Sequence, residues 1–417
     1  MIDFFEFLFN LSLAQVIFMN IGMIFINILL SLFIKSATKK KYKKTNSVEE
    51  TLYFQQMLGK YLQFISTLIT AFLLTLSIMP HLEWMGNLKI LGALIFVYFN
   101  LFIILILNSL ILHDLNKSLR KTTSTKWEDI KLLLRVLIFS VIPMIIMLVI
   151  IDTQPFKNLG SAKMQKYIKI LTPMVIYILL SFIMPLFTKY MLKGKPFEEG
   201  ELKDDFTAFV EKSGVKKFKL YLWATKDNKH ANALVSGLLT KEIFMSDYLL
   251  ENFSTEEAKG ILAHEIGHIK KHHLWIRTAL ILGLFILGPV LGNLMELFED
   301  NFYEIPFWLG LLILAAVMIG YLVFLKYFIS RTQERQADAF ALEMGIDPMV
   351  YASALYKLAK LNNSVMKFNK LDEKLQTHPS IARRIKYILE KNGLNMDEVM
   401  DKIIYNFENP TSKDVNC

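Results

Sequence analysis

The sequence predicts a mainly α-helical integral membrane protein with a small α+β region, and three observations predict it. Apolar residues make up 53% of the 417 positions against 20% charged, with 32 Phe, 20 Met and a mean hydropathy of +0.38. No compact soluble core absorbs that surplus. Seven apolar stretches, near 11–34, 61–80, 88–113, 132–151, 167–187, 274–295 and 307–328, are each long enough to cross a bilayer as a helix, for which ~20 residues suffice. Basic residues gather in alternate connections, the pattern that fixes membrane orientation.

The same counts exclude other classes. Gly 18, Pro 11 and Cys 1 rule out collagen, a disordered chain and a disulfide scaffold. With Cys417 as its one cysteine, the chain can form neither an internal disulfide nor a Cys-ligated zinc site by itself. The net charge is 47 − 38 = +9. Because the lysines flank apolar runs, the charge is assigned to topology and no nucleic-acid partner is expected.

The leading segment carries Asp3 and Glu6 and no base up to Phe9, so it is expected to stay as a membrane helix instead of being a cleaved signal. Lys35, Lys39, Lys40, Lys41, Lys43, Lys44 and Lys60 follow the first crossing, and Lys117, Arg120, Lys121, Lys126 and Lys131 follow the third. The 81–87 connection has no base, and 296–306 offers only Glu296, Glu299, Asp300 and Glu304; the three lysines of 152–166 fit less well. Counting places the N-terminus outside and 35–60, 114–131, 188–273 and 329–417 in the cytoplasm. The least regular spans are 61–80, with Gln63 and Ser66, and 167–187, with Pro173 and Pro185; a buried soluble helix is the alternative for either. The Lys-, Asn- and Ile-rich composition suggests an AT-rich genome and a bacterial inner membrane.

Four regions result: five membrane helices in 1–190, a polar segment 191–273, two more membrane helices in 274–328, and a C-terminal helical segment 329–417. Within the polar segment an amphipathic helix is expected at 201–213 and a strand at 217–225. A strand pair is expected over 233–244, broken at Ser236 and Gly237. Ser254 and Glu257 read as a capping box opening a helix that runs through His273. The C-terminal segment is expected to break at Gly345, Pro379 and Gly393.

That helix carries the strongest motif: His264, Glu265, Ile266, Gly267 and His268. Histidines four apart share one helix face, so both imidazoles can reach one metal ion with Glu265 beside it. A third ligand is needed. The spacing that would put a third histidine at 274, after a glycine at 271, fails because those positions are Leu274 and Lys271. The candidate is Glu334, with Asp338 one turn on to accept from a ligating histidine. Taken alone, Glu334 and Asp338 would read as a solvated face balancing Arg331 and Arg335; the histidine pair favours the ligand reading. His272 and His273 read as interfacial, and His81, His113 and His230 as incidental.

At this point the chain resembles the membrane-embedded zinc metallopeptidases of family M48, most closely their Ste24-type CAAX prenyl protease branch. The resemblance rests on His264 to His268, on Ser330 to Asp338 with the following Ala339, Phe340 and Ala341, and on Thr377, His378, Pro379, Ser380 and Arg384. Asn232, Ala233 and the stretch Pro196 to Lys203 add weaker support. It implies seven transmembrane helices forming a water-filled chamber, with a small α+β gluzincin-type domain holding one zinc per chain. His264, His268 and Glu334 would ligate it and Glu265 would be the general base. His378 would donate to the oxyanion, and Arg384 would orient His378 or bind a peptide carboxylate. Asn232 and Ala233 would lie on an edge strand that pairs with substrate backbone. The implied partners are the bilayer and a peptide or protein substrate, prenylated or not. Two departures stand: 244–264 is short for the eukaryotic branch, and the first 190 residues match by hydropathy alone.

The leading functional reading is therefore a membrane zinc endopeptidase of Ste24 type, with CAAX-type C-terminal processing among its expected activities. The alternatives are a quality-control protease of HtpX type, a metal transporter or channel using the same three ligands, and a structural scaffold.

Overall fold

The computed structural model describes residues 2–409 apart from 154, 155, 157, 302–306, 369–371, 374, 375 and 377. Glu304, Thr377 and Cys417 lie outside the described residues. Contacts divide the chain into two units, Met1–Gln165 with Asn363–Val365, and Lys166–Asn362 with Met366–Cys417.

The first unit contains α1 (Ile2–Phe9), α2 (Leu13–Thr45), α3 (Val48–Leu58), α4 (Phe64–Ile78), α5 (Lys89–Arg120) and α6 (Lys126–Thr153). Ser12 and Gln15 form a capping box that starts α2, and Asn46 in the left-handed region ends it. A polar seam joins these apolar helices. Asn20 donates to Asn100 at 2.6 Å, and Gln63, in a π-helical turn at Gly59–Gln63, donates to Ser31 at 3.3 Å. Between apolar surfaces such bonds supply the selective adhesion that hydrophobic burial cannot.

The second unit begins with α7 (Ala162–Met191) and β1 (Lys195–Pro196), then α8 (Glu201–Lys212) and β2 (Phe218–Trp223). Next come β3 (Ala233–Ser236), β4 (Lys241–Ser246), α9 (Asp247–Asn252) and α10 (Thr255–Lys270). It ends with α11 (His273–Asn301), α12 (Phe307–Phe324), α13 (Ser330–Glu343), α14 (Pro348–Leu361), α15 (Ile381–Lys391) and α16 (Met396–Glu408). The sheet order is β1-β2-β4-β3, with β2 and β4 parallel and the outer pairs antiparallel, so β3 is an edge strand. The sheet and α8, α10, α14 and α15 enclose a core in which Phe206, Ile243, Leu262, Ile266 and Leu355 are buried. Each such side chain contributes about 1.5–3 kcal/mol.

The helix, strands, capping box and C-terminal breaks expected of the polar regions are present. Two expectations are corrected. Six helices among the described residues, not seven, are long and apolar enough to cross a membrane: Leu13–Thr45, Val48–Gly86, Leu91–Arg120, Lys126–Ile150, Tyr167–Met191 and His273–Leu294. The stretch at 307–328 is not among those six; it is helical, with an α-helix at Phe307–Phe324 that continues into a π-helical turn at Leu325–Ile329. The helix expected to run through His273 stops at Lys270, His272 takes a left-handed φ of 56°, and α11 starts afresh at His273.

Candidate metal centre

Helix α10 supplies His264, Glu265 and His268, and packs against α13, which supplies Glu334. Gly267 permits the approach: a Cβ there would lie 2.9 Å from the Ala337 Cα and 3.1 Å from the Phe340 Cβ. The Nε2 atoms of His264 and His268 each lie 3.5 Å from a different oxygen of Glu334. Three ligand atoms thus fall within 4.8 Å of one another on three buried residues. Two imidazole nitrogens and a carboxylate at that spacing fit a divalent metal ion, with zinc among the suited ions.

The two histidines are supported differently. The Nδ1 of His264 is 3.0 Å from Asp338 Oδ1, where the Tyr351 hydroxyl also donates at 2.6 Å. Arg384 grips Asp338 with both arms, Nε to Oδ2 at 3.0 Å and Nη2 to Oδ1 at 2.6 Å. Its Nη1 lies 4.0 Å from Glu334 Oε2, so the same guanidinium spans Asp338 and the third candidate ligand. Burial alone would raise the Asp338 carboxyl, but the Arg384 charge and the His264 hydrogen bond hold it well below the usual range. Burial and Arg384 oppose a charge on His264, while hydrogen bonds to Asp338 and Glu334 outweigh them and lift it to about 9.

Among the described residues, no carboxylate stands behind His268. Its Nδ1 is 2.8 Å from Nδ1 of His273, whose Nε2 is 2.8 Å from Gln336 Oε1 on α13. Burial first, then the neighbouring His264, pulls His268 down to about 3. The expectation that His273 is an interfacial bystander is corrected: it is fully buried, whereas His272 is exposed. Sequence reasoning also missed Tyr351, which reads as one more apolar position of an amphipathic helix. His81, His113 and His230 line no part of the site; His81 bonds the Leu11 carbonyl and His113 bonds Asp129.

These residues face a cleft of about 320 Å³ lined also by Asn232, Ala233, Leu234, Val235, Glu265, His378 and Arg384. The structure thus brings all the sequence-predicted site residues except Asp338 onto one cavity wall, with Asp338 buried behind it. Burial pushes the Glu265 carboxyl up to about 7, against the opposing charge of His264. His378, 61% exposed, places Nδ1 3.0 Å from Glu334 Oε2. Asn232 exchanges backbone and side-chain bonds with Ser246 of β4, and its Oδ1 accepts from the Ala233 amide at 3.0 Å.

Residues 196–392 match the family model described as Peptidase family M48. That matched stretch contains every candidate site residue named above. CAAX prenyl protease 1 of Saccharomyces cerevisiae is 30% identical over 240 residues, covering 50% of this chain and 52% of the yeast protein. A protease HtpX homolog of Bacteroides fragilis is 26% identical over 212 residues, covering 47% of this chain and 66% of its own. The crystal structure of S. mikatae Ste24p shares 20% identity with a TM-score of 0.58, covering 90% of this chain and 99% of the other. The chain therefore has the fold of that Ste24p structure and is a multi-pass membrane protein. It spans about half the length of the curated CAAX prenyl proteases it matches.

Proposed function

We propose that this protein is a membrane zinc endopeptidase in which His264, His268 and Glu334 hold the metal. The observation that carries the reading is the convergence of those three ligand atoms within 4.8 Å, beside Glu265, in a cleft edged by β3. Zinc bound there supplies a Lewis acid that polarises a peptide carbonyl and acidifies water. Glu265 takes the proton of the attacking water and returns it to the leaving amine; its raised pKa suits both transfers near neutrality.

The strand register supports a substrate track. Asn232 bonds β4 through Ser246, so in the antiparallel ladder Ala233 and Val235 turn their backbone groups to the open edge. The Ala233 amide is taken by the Asn232 side chain, which leaves the Ala233 carbonyl and both Val235 groups for an extended peptide. Asn232 Nδ2 is a further donor to a substrate carbonyl. His378, the most exposed group beside Glu334, donates to the oxyanion of the tetrahedral intermediate. Arg384 acts through Asp338. The Lys-rich segments 35–60 and 114–131 favour a cytoplasmic cleft, in keeping with a bacterial inner membrane.

Two substrate readings follow from the relatives. The match over about half of a CAAX prenyl protease favours prenylated C-terminal segments, and the match to an HtpX homolog favours membrane-protein quality control. Purified protein offered a matched farnesylated and unmodified peptide, with Glu265→Gln and a chelator as blanks, separates them. Cleavage that requires the farnesyl group supports the first and equal cleavage the second. Cleavage of either by Glu265→Gln contradicts the site itself.

A further inference from the structure

The proposed site uses α10 and α13 but leaves His273, the first residue of α11, without a role. It is fully buried, it touches a candidate ligand, and its second nitrogen has its own partner. Resting on the zinc reading above, we propose that His273 is a positioning residue for His268. It accepts a hydrogen bond from Nδ1–H of His268, leaving the Nε2 lone pair free for the metal.

The direction of the bond follows from the ligand requirement. A neutral imidazole carries one N–H, and a nitrogen that ligates must be the bare one. If Nε2 of His268 ligates, its proton is on Nδ1, 2.8 Å from His273 Nδ1, so His273 must accept there. His273 then carries its own proton on Nε2, which points at Gln336 Oε1 at 2.8 Å. Each link of the relay has one donor and one acceptor. In the reverse order the His268 proton would sit on Nε2, facing Glu334 Oε1 at 3.5 Å, and no lone pair would remain for a cation.

Local backbone geometry shows why the contact exists. An unbroken helix turns 100° per residue, which would leave residue 273 about 140° around from His268 and out of reach. The stop at Lys270 and the left-handed His272 fold the chain back so that His273 meets His268 across the break. Two bonds tie that first turn of α11 to α13: Arg277 Nε donates to Gln333 Oε1 at 2.6 Å, and Gln333 donates to the His273 carbonyl at 3.5 Å. Gln333 and Gln336 flank Glu334 in sequence, so one stretch of α13 supplies both the third ligand and the anchor for the second ligand's partner.

The test uses Zn²⁺ as the probe, titrated against a competing chromophoric chelator on the full chain in detergent. The proteins are the parent, His273→Phe, His273→Asn and Glu334→Ala. Phe keeps the ring and its packing but cannot accept; Asn loses packing but places an amide oxygen where Nδ1 stood. The expected result is a loss of zinc affinity of about 10–100-fold for Phe, with Asn within a few-fold of the parent. Melting temperatures of the metal-free proteins report folding separately. The opposite order, Phe like the parent and Asn impaired, shows that His273 only packs and overturns the proposal. Equal affinity in all three His273 proteins also overturns it. A parent that binds no zinc, or binds it no better than Glu334→Ala, overturns the zinc reading on which it rests.

Discussion

The two histidines of one helix face are held by opposite means. Behind His264 stands a paired anion: Asp338, gripped by Arg384 and Tyr351. Behind His268 stands a neutral relay, His273 to Gln336. A carboxylate raises the basicity of a ligand and binds it by charge, but it must itself be neutralised once buried. A neutral relay orients its ligand at no such cost and adds no charge. The comparison teaches that the two sides should fail differently, the first in folding and metal affinity together, the second in metal affinity alone.

Truncating the anion should have the largest effect. Asp338→Ala leaves Arg384 buried without its partner, and a loss of about 3–5 kcal/mol is expected, read as a lower melting temperature of the metal-free protein. If the melt is unchanged, Asp338 is not the centre of that side. The relay gives the contrasting case, with zinc affinity falling in His273→Phe while the metal-free melt stays near the parent.

The contact between the two ligand helices comes next. Gly267→Ala drives a Cβ to 2.9 Å from the Ala337 backbone, where no flexible side-chain end can yield. A loss of about 1–3 kcal/mol is expected, together with weaker zinc binding because Glu334 is carried by the displaced helix.

Glu242 on β4 shows what a buried carboxylate does without Asp338's partners. It is 6% exposed, and its Oε2 has no hydrogen-bond partner among the described residues. Burial raises its pKa, with Lys189 and Lys219 opposing. The folded chain then holds this proton more tightly than the unfolded chain. Stability therefore falls as the pH rises from the ordinary carboxylate value, about 4.3, to the folded value, and stays lower above it. Glu242→Gln should melt above the parent at about pH 7.5 and match it near pH 4; the same difference at both pH values would refute the titration argument.

The smallest effect is expected at the helix break. His272 adopts a left-handed conformation that costs a non-glycine residue roughly 1 kcal/mol. His272→Gly should stabilise the fold by no more than that, with zinc affinity untouched, which separates His272 from its neighbour.

How far these features could be read from sequence depends on their range. The apolar helices, the Ser254 capping box and the β3–β4 pair are local patterns, and they were legible. The pair His264 and His268 is legible because four residues make one helical turn, whereas Glu334 is legible only beside that pair, since alone it reads as a solvated face balancing Arg331 and Arg335. The break between α10 and α11 was not, since Lys271 and His272 carry none of the glycine that usually marks a left-handed helix end. Without the break, His273 reads as one more exposed histidine. Tyr351 was hidden because its hydroxyl meets Asp338 only through packing of α14 on α10 and α13.

The measurement that bears most directly on the central claim is zinc content and peptide cleavage on the same preparations of parent and Glu265→Gln. The account predicts one zinc per chain in both, with cleavage by the parent and a loss in Glu265→Gln of at least about 10²-fold. A variant that cleaves as the parent does, or a parent that cleaves without zinc, would contradict it.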